Sequence, residues 1–155
     1  LESKVVDFAA VTSPLTIQKP LHKTHLASYR EILIGGTKYK ELASQIRSLN
    51  DLSGIPVIGL ADGTGTRELY HRYFLSHGLM FAPDMEAATT DQILPMITHN
   101  LGIGFYPEEL AAEAIARGSA YAIRLVEPIP EREICLVTNS STQMSAAVRK
   151  VISFL

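Results

Sequence analysis

The chain has 155 residues and a mass of 17.0 kDa, enough for one domain or two small lobes. Hydrophobic residues make up 46% and charged residues 19%, which excludes a disordered tail and supplies a core. The net charge of −2 excludes a basic nucleic-acid footprint in this stretch, and no run of 18 apolar residues is present to cross a membrane as a helix.

Leu1-Glu2-Ser3-Lys4 shows neither an initiator methionine nor the regions of a signal peptide, and the apolar run Val5 to Val11 follows at once as an expected buried strand. So abrupt a start is what a fragment or a processed product is expected to show, with elements missing upstream. Thr12 to Leu26 reads as irregular, punctuated by Pro14 and Pro20, before a second strand from Tyr29 to Ile34 closed by Gly35-Gly36. Lys38 to Leu52 reads as loop with short helical turns, and Ile55 to Leu60 as a third strand entering the turn Asp62-Gly63-Thr64-Gly65-Thr66.

A helix is expected from about Thr66 to His77, with Leu69, Tyr70, Tyr73 and Phe74 at helical spacing and Gly78 as its terminator. Asp84 to Ala88 is a short strand, and Thr89 or Thr90 caps the next helix, where Pro95 predicts a kink or an early end. Gly102 to Tyr106 is a strand leading into a helix with Pro107 first, Glu108 and Glu109 at its positive end, and Arg117 and Gly118 at its close. Strands from Tyr121 to Val126 and Glu133 to Thr138 follow. A last helix from Ser141 or Thr142 is expected to bury Met144, Val148, Val151, Ile152 and Leu155. This alternation implies an α/β fold with a largely parallel sheet, whose ligand site lies beyond the carboxyl ends of its strands.

The turn Asp62 to Arg67 is the strongest local feature, because free amides at a helix start, glycines and two threonine hydroxyls suit a carboxylate, sulfate or phosphate. Equally, Thr64 or Thr66 can simply cap the helix. It matches neither a Walker loop nor a dinucleotide fingerprint. Thr89 and Thr90 repeat the pattern more weakly, Thr12 ends the first strand, and Phe105 can wall a pocket or pack in the core. His22 and His25 lack companion ligands and read as surface residues, Cys135 reads as a buried thiol in a reducing compartment, and the sequence presents no catalytic constellation, metal site or cofactor motif.

Four ordered segments carry a resemblance to the effector-binding domain of LysR-type transcriptional regulators: LESKVVDFAAVTSPL, IPVIGLADGTGTRELYHRYFLSHGL, EAATTDQILPMITHNLGIGFYPEELA and EREICLVTNSSTQMSAAVRKVISFL. The resemblance implies a two-lobe fold like the type 2 periplasmic binding proteins, with a first lobe, incomplete here, from residues 1–14 and 131–155 and a second from residues 15–130. It implies a bacterial, cytoplasmic, non-enzymatic regulator that binds a small effector, an anion by the chemistry of the turn, between its lobes. Binding would alter the subunit packing of a homo-oligomer and so the action of a helix-turn-helix domain that lies outside this stretch. Carried over, the effector contacts are Thr12, Gly63, Thr64, Gly65, Thr66, Thr89, Thr90 and Phe105. The family's opening strand–helix–strand is also missing, and Gly35-Gly36-Thr37-Lys38 and Pro95 depart from its pattern. The alternative is a transporter's solute-binding protein of the same fold. An enzyme on this fold would have to draw on Asp62 and Asp91.

Overall fold

The computed structural model describes residues 6–141 and 145–154. The chain divides into two compact units, one from the residues up to Tyr29 with those from Arg132 onward, the other from Arg30 to Glu131. Residues 15–29, which the resemblance places with the second lobe, therefore cluster with the first unit. The reason is a strand that local pattern does not reveal.

That strand is β2 (Leu21–Tyr29), which pairs antiparallel with β8 (Arg132–Asn139), itself paired on its other side with β1 (Phe8–Thr12). The resulting sheet has the order β1-β8-β2. β1 begins later than its apolar run predicts: Val6 lies outside it and is exposed, and as an edge strand β1 is only half-buried. Burial concentrates on the central β8, where Cys135, Leu136 and Val137 are enclosed. Helix α4 (Ala146–Ile152) is capped by Ser145, whose hydroxyl accepts from the Val148 amide. Val151 is exposed rather than buried, Val148 and Ile152 are half-buried, and Met144 and Leu155 lie outside the described residues.

The second unit is built on a five-stranded sheet of order β5-β4-β6-β3-β7, comprising β3 (Glu31–Gly36), β4 (Val57–Leu60), β5 (Met85–Ala87), β6 (Ile103–Pro107) and β7 (Ala120–Ile123). Helix α1 (Gly65–Ser76) joins β4 to β5, α2 (Thr90–Thr98) joins β5 to β6, and α3 (Glu108–Ala116) joins β6 to β7. A crossover helix between strands sends them the same way, so the expected parallel arrangement holds for these four. β3 runs against them, inserted between β6 and β7, and the three-stranded sheet is wholly antiparallel, so the fold is mixed rather than largely parallel.

Two apolar clusters fill this unit, one around Leu33, Tyr70, Phe74 and Phe105, the other around Ile34, Ile58, Ile97 and Tyr106. Residues 37–52 form three short 3-10 turns, the last closed by reciprocal bonds between Ser48 and Asp51. Helix α2 continues through Pro95 to Thr98, so it does not end at the proline. The missing amide costs one helical bond, while Ile93 and Ile97 on either side remain buried at 3% and 0% exposure. Asn100 then takes φ 61° and ties the helix end to Thr37 and the Lys38 amide.

Candidate functional site

β4 and β5 are parallel neighbours, with Leu60 opposite Ala87 and the Ala61 amide donating to the Ala87 carbonyl at 3.1 Å. Their carboxyl ends, and the starts of α1 and α2 that follow, therefore lie at one end of the sheet. The structure brings Gly63, Thr64, Gly65 and Thr66 to that end together with Thr89 and Thr90.

At the α1 turn, Gly63 adopts φ 81°, a backbone that L side chains rarely take, and this reverses the chain out of β4. Thr64 is the cap: its hydroxyl accepts from the Arg67 amide at 3.2 Å and donates to the Ala61 carbonyl at 3.0 Å. Its one donor is thus committed, so Thr64 shapes the turn instead of offering a hydroxyl proton to a ligand. Among the described residues the amides of Gly65 and Thr66 are left open, as expected of the first positions of a helix. Gly65 borders a concavity of about 360 Å³ lined also by Asp62, Gly63, Thr64 and Glu68. Two of these residues are acidic, and Glu68 is partly neutralised by Arg72 at 2.7 Å.

Arg67 anchors the turn from below. Its guanidinium donates to the Leu60 carbonyl at 3.1 Å, pairs with Glu86 at 3.4 Å and lies over the Phe81 ring. Thr66 faces a space of only about 10 Å³ between Arg67, Tyr70 and Phe105, room for one water at most.

At the α2 turn, Thr89 occupies the cap position without a side-chain cap bond. Gln92 instead reaches back, its carbonyl oxygen accepting from the Ala88 amide at 2.9 Å. The hydroxyls of Thr89 and Thr90 are thereby unengaged among the described residues, unlike that of Thr64. Asp91 in the first turn complements the helix dipole and, after burial itself, is a second cause that raises the Tyr106 pKa.

Phe105 is 5% exposed and belongs to the aromatic cluster behind α1, so it reaches this end of the sheet only through the small space beside Thr66. In the first unit Thr12 is exposed, and its hydroxyl accepts from the Arg132 guanidinium at 3.1 Å. Arg132, only 3% exposed, also donates twice to the Ser13 carbonyl, at 3.0 and 2.7 Å, and lies over the Tyr29 ring. Thr12 keeps its own proton for donation outward.

His22 and His25 are exposed, and no group of three or more metal-binding side chains occurs among the described residues. Cys135 is fully buried. Sequence reasoning did not single out Arg67, Gln92 or Arg132 as supports of these turns. The signal available was a charged or amide side chain beside a strand end, which by itself is common.

The whole chain, residues 1–155, matches the LysR substrate binding domain family. It is 24% identical over 142 residues to the uncharacterised HTH-type transcriptional regulator YeiE of Escherichia coli (strain K12), covering 89% of this chain and 48% of that protein. The chain thus spans about half the length of this curated relative. The regulatory domain of CcmR from Synechocystis PCC6803, solved in complex with 2-PG, superposes with a TM-score of 0.82 at 17% identity, over 99% of this chain and 73% of that one. The effector-binding domain of QuiR, solved with shikimate, superposes with a TM-score of 0.81 at 16% identity, over 99% and 72%.

Proposed function

The chain belongs to the LysR substrate binding domain family, a family of transcriptional regulators and not of enzymes, and on that premise we propose that it senses a small anion through the paired helix starts of its second unit. The observation that carries this reading is the side-by-side placement of two turns whose amides, at Gly65 and Thr66, and hydroxyls, at Thr89 and Thr90, have no partner among the described residues. Backbone amides at helix starts favour negative charge. The carboxylates of Asp62 and Glu68 on the same concavity work against a doubly charged ligand, so a monoanion is the better fit. Thr12 is proposed as a further contact, with its oxygen fixed by Arg132 and its proton free.

In this reading the two compact units are the lobes of a cytoplasmic sensor within a longer, oligomeric regulator. Effector binding there controls a DNA-binding domain outside this stretch. Two relatives were solved with small ligands, 2-PG and shikimate, which supports a small-molecule effector without naming it. The family match favours this reading over a transporter's solute receptor of the same fold.

The test is calorimetric titration of shikimate, 2-PG, bromide and a panel of small monocarboxylates, chosen by thermal shift. The expected outcome is a monoanion whose Kd rises about tenfold in Thr64→Ala and in Thr12→Ala, the loss of about one hydrogen bond's support. A bound anion whose affinity neither substitution changes would show that the site is elsewhere.

A further inference from the structure

Glu31 opens β3 two residues after Tyr29, the last residue before the chain passes from the first unit into the second. It is 5% exposed at the head of an otherwise apolar strand, and a carboxylate so placed persists only when hydrogen-bonded. One such bond comes from Tyr70, whose hydroxyl donates to Glu31 Oε2. Tyr70 is 3% exposed and sits on α1 five residues beyond Gly65, about one and a half turns. Its ring stacks on Phe105, with centroids 4.1 Å apart and planes inclined by 18°.

Helix α1 is therefore gripped twice. Its first turn is held by Thr64 and Arg67 to the end of β4, and its middle is held by Tyr70 to the first residue of β3. The ring of Tyr70 packs on β6, and its hydroxyl reaches Glu31.

We propose that the Tyr70–Glu31 hydrogen bond links the α1 turn to the segment where the chain crosses between its two units, an allosteric contact that rests on the effector reading above. A helix is stiff over one and a half turns, so a ligand that draws in the Gly65 and Thr66 amides displaces Tyr70 with them. The bond from a phenol to a buried carboxylate is strong and directional, and it passes that displacement to Glu31. One oxygen atom separates this route from the ring stack, which gives it a specific test.

The test needs no ligand. Thr64→Ala removes the α1 cap and raises the opening equilibrium of the first turn about fivefold. Amide hydrogen exchange over residues 29–33 is followed by mass spectrometry in the 155-residue chain, in Thr64→Ala, in Tyr70→Phe and in the double variant. With Tyr70 present, Thr64→Ala is expected to speed exchange over this segment about threefold; in the Tyr70→Phe background, where only the ring stack on Phe105 opposite Leu33 remains, the acceleration is expected to fall well below that. Equal acceleration in both backgrounds, or none in either, overturns the link. Should Tyr70→Phe unfold the protein, Glu31→Gln takes its place, keeping an acceptor but not the charge. Its response to Thr64→Ala is expected below that of the parent, and an undiminished response overturns the link as well. Because no effector enters the experiment, its failure is read separately from the failure of a monoanion to bind in the Thr64→Ala and Thr12→Ala titrations.

Discussion

Tyr39 places its hydroxyl in the interior with no hydrogen-bond partner among the described residues, and burial raises its pKa. Tyr73 is equally enclosed, but its hydroxyl donates to the Glu127 carbonyl at 3.0 Å. The two phenols make a controlled pair. Removing the oxygen of Tyr39 relieves an unsatisfied polar group, whereas removing that of Tyr73 takes away the bond to the Glu127 carbonyl. Tyr39→Phe is expected to leave stability unchanged or raise it by up to about 1 kcal/mol, and Tyr73→Phe to lower it by about 1 kcal/mol. Urea unfolding midpoints of the two variants decide this, and equal losses would mean that Tyr39 has a partner after all. Gly36 is a second position read at this scale. An added Cβ there would meet the Ile97 carbonyl at 2.3 Å and Asn100 Oδ1 at 2.5 Å, which explains why the chain uses glycine beside the α2 terminus.

Among the elements, β2 and β8 are joined by the ion pair of Lys23 and Glu133 at 2.7 Å. The hydrogen bond from Lys23, then its charge, hold the Glu133 carboxyl below the usual carboxylate range, and the bond to Glu133 raises Lys23 in turn. A depressed carboxyl contributes stability above its unfolded pKa and loses it as pH falls through the folded value. A raised amine contributes below its unfolded pKa and loses it as pH rises through the folded value. The parent is therefore expected to be more stable than Lys23→Met across the neutral range, with the difference vanishing at both the acid and the alkaline limb. Parallel stability–pH profiles for the two proteins would show that the pair contributes nothing. The strand that carries Lys23 was also the least legible element. Polar exposed residues from His22 to His25 follow Pro20 without alternation, and only pairing with β8, more than a hundred residues away, makes them a strand. By contrast, α1 and α3 are written locally, in the spacing of Tyr70, Tyr73 and Phe74 and in Gly78 and Gly118, whose φ values of 74° and 71° mark the turns after the helices. The site divides the same way. The Asp62 to Thr66 turn is visible as glycines after a strand, but the commitment of the Thr64 hydroxyl and the Glu31–Tyr70 bond, 39 residues apart, belong to tertiary structure.

For the molecule as a whole, the two units differ in how the chain builds them. The second is one continuous stretch, Arg30 to Glu131, and both apolar clusters lie wholly within it. At about 100 residues it is large enough to fold on its own core. The first unit must bring β1 and β2 to β8 across that whole insertion, with Thr12 opposite Ile134. Closing a flexible loop of this length costs about 4 kcal/mol from chain entropy before any strand pair is gained, and a folded second unit removes much of that flexibility in advance. The dependence should therefore run one way. Ile97→Ala, in the second unit at 0% exposure, is expected to cost about 2–5 kcal/mol and to speed hydrogen exchange in β8 as well as in its own sheet. Leu136→Ala, in β8 at 3% exposure, is expected to speed exchange in β1, β2 and β8 while leaving β4 and β6 as they were. A polypeptide of residues 30–131 alone should unfold cooperatively in urea, since everything its core requires is contained in it. A gradual, non-cooperative melt of that polypeptide, or acceleration in β4 and β6 on Leu136→Ala, would show instead that the discontinuous unit supports the continuous one.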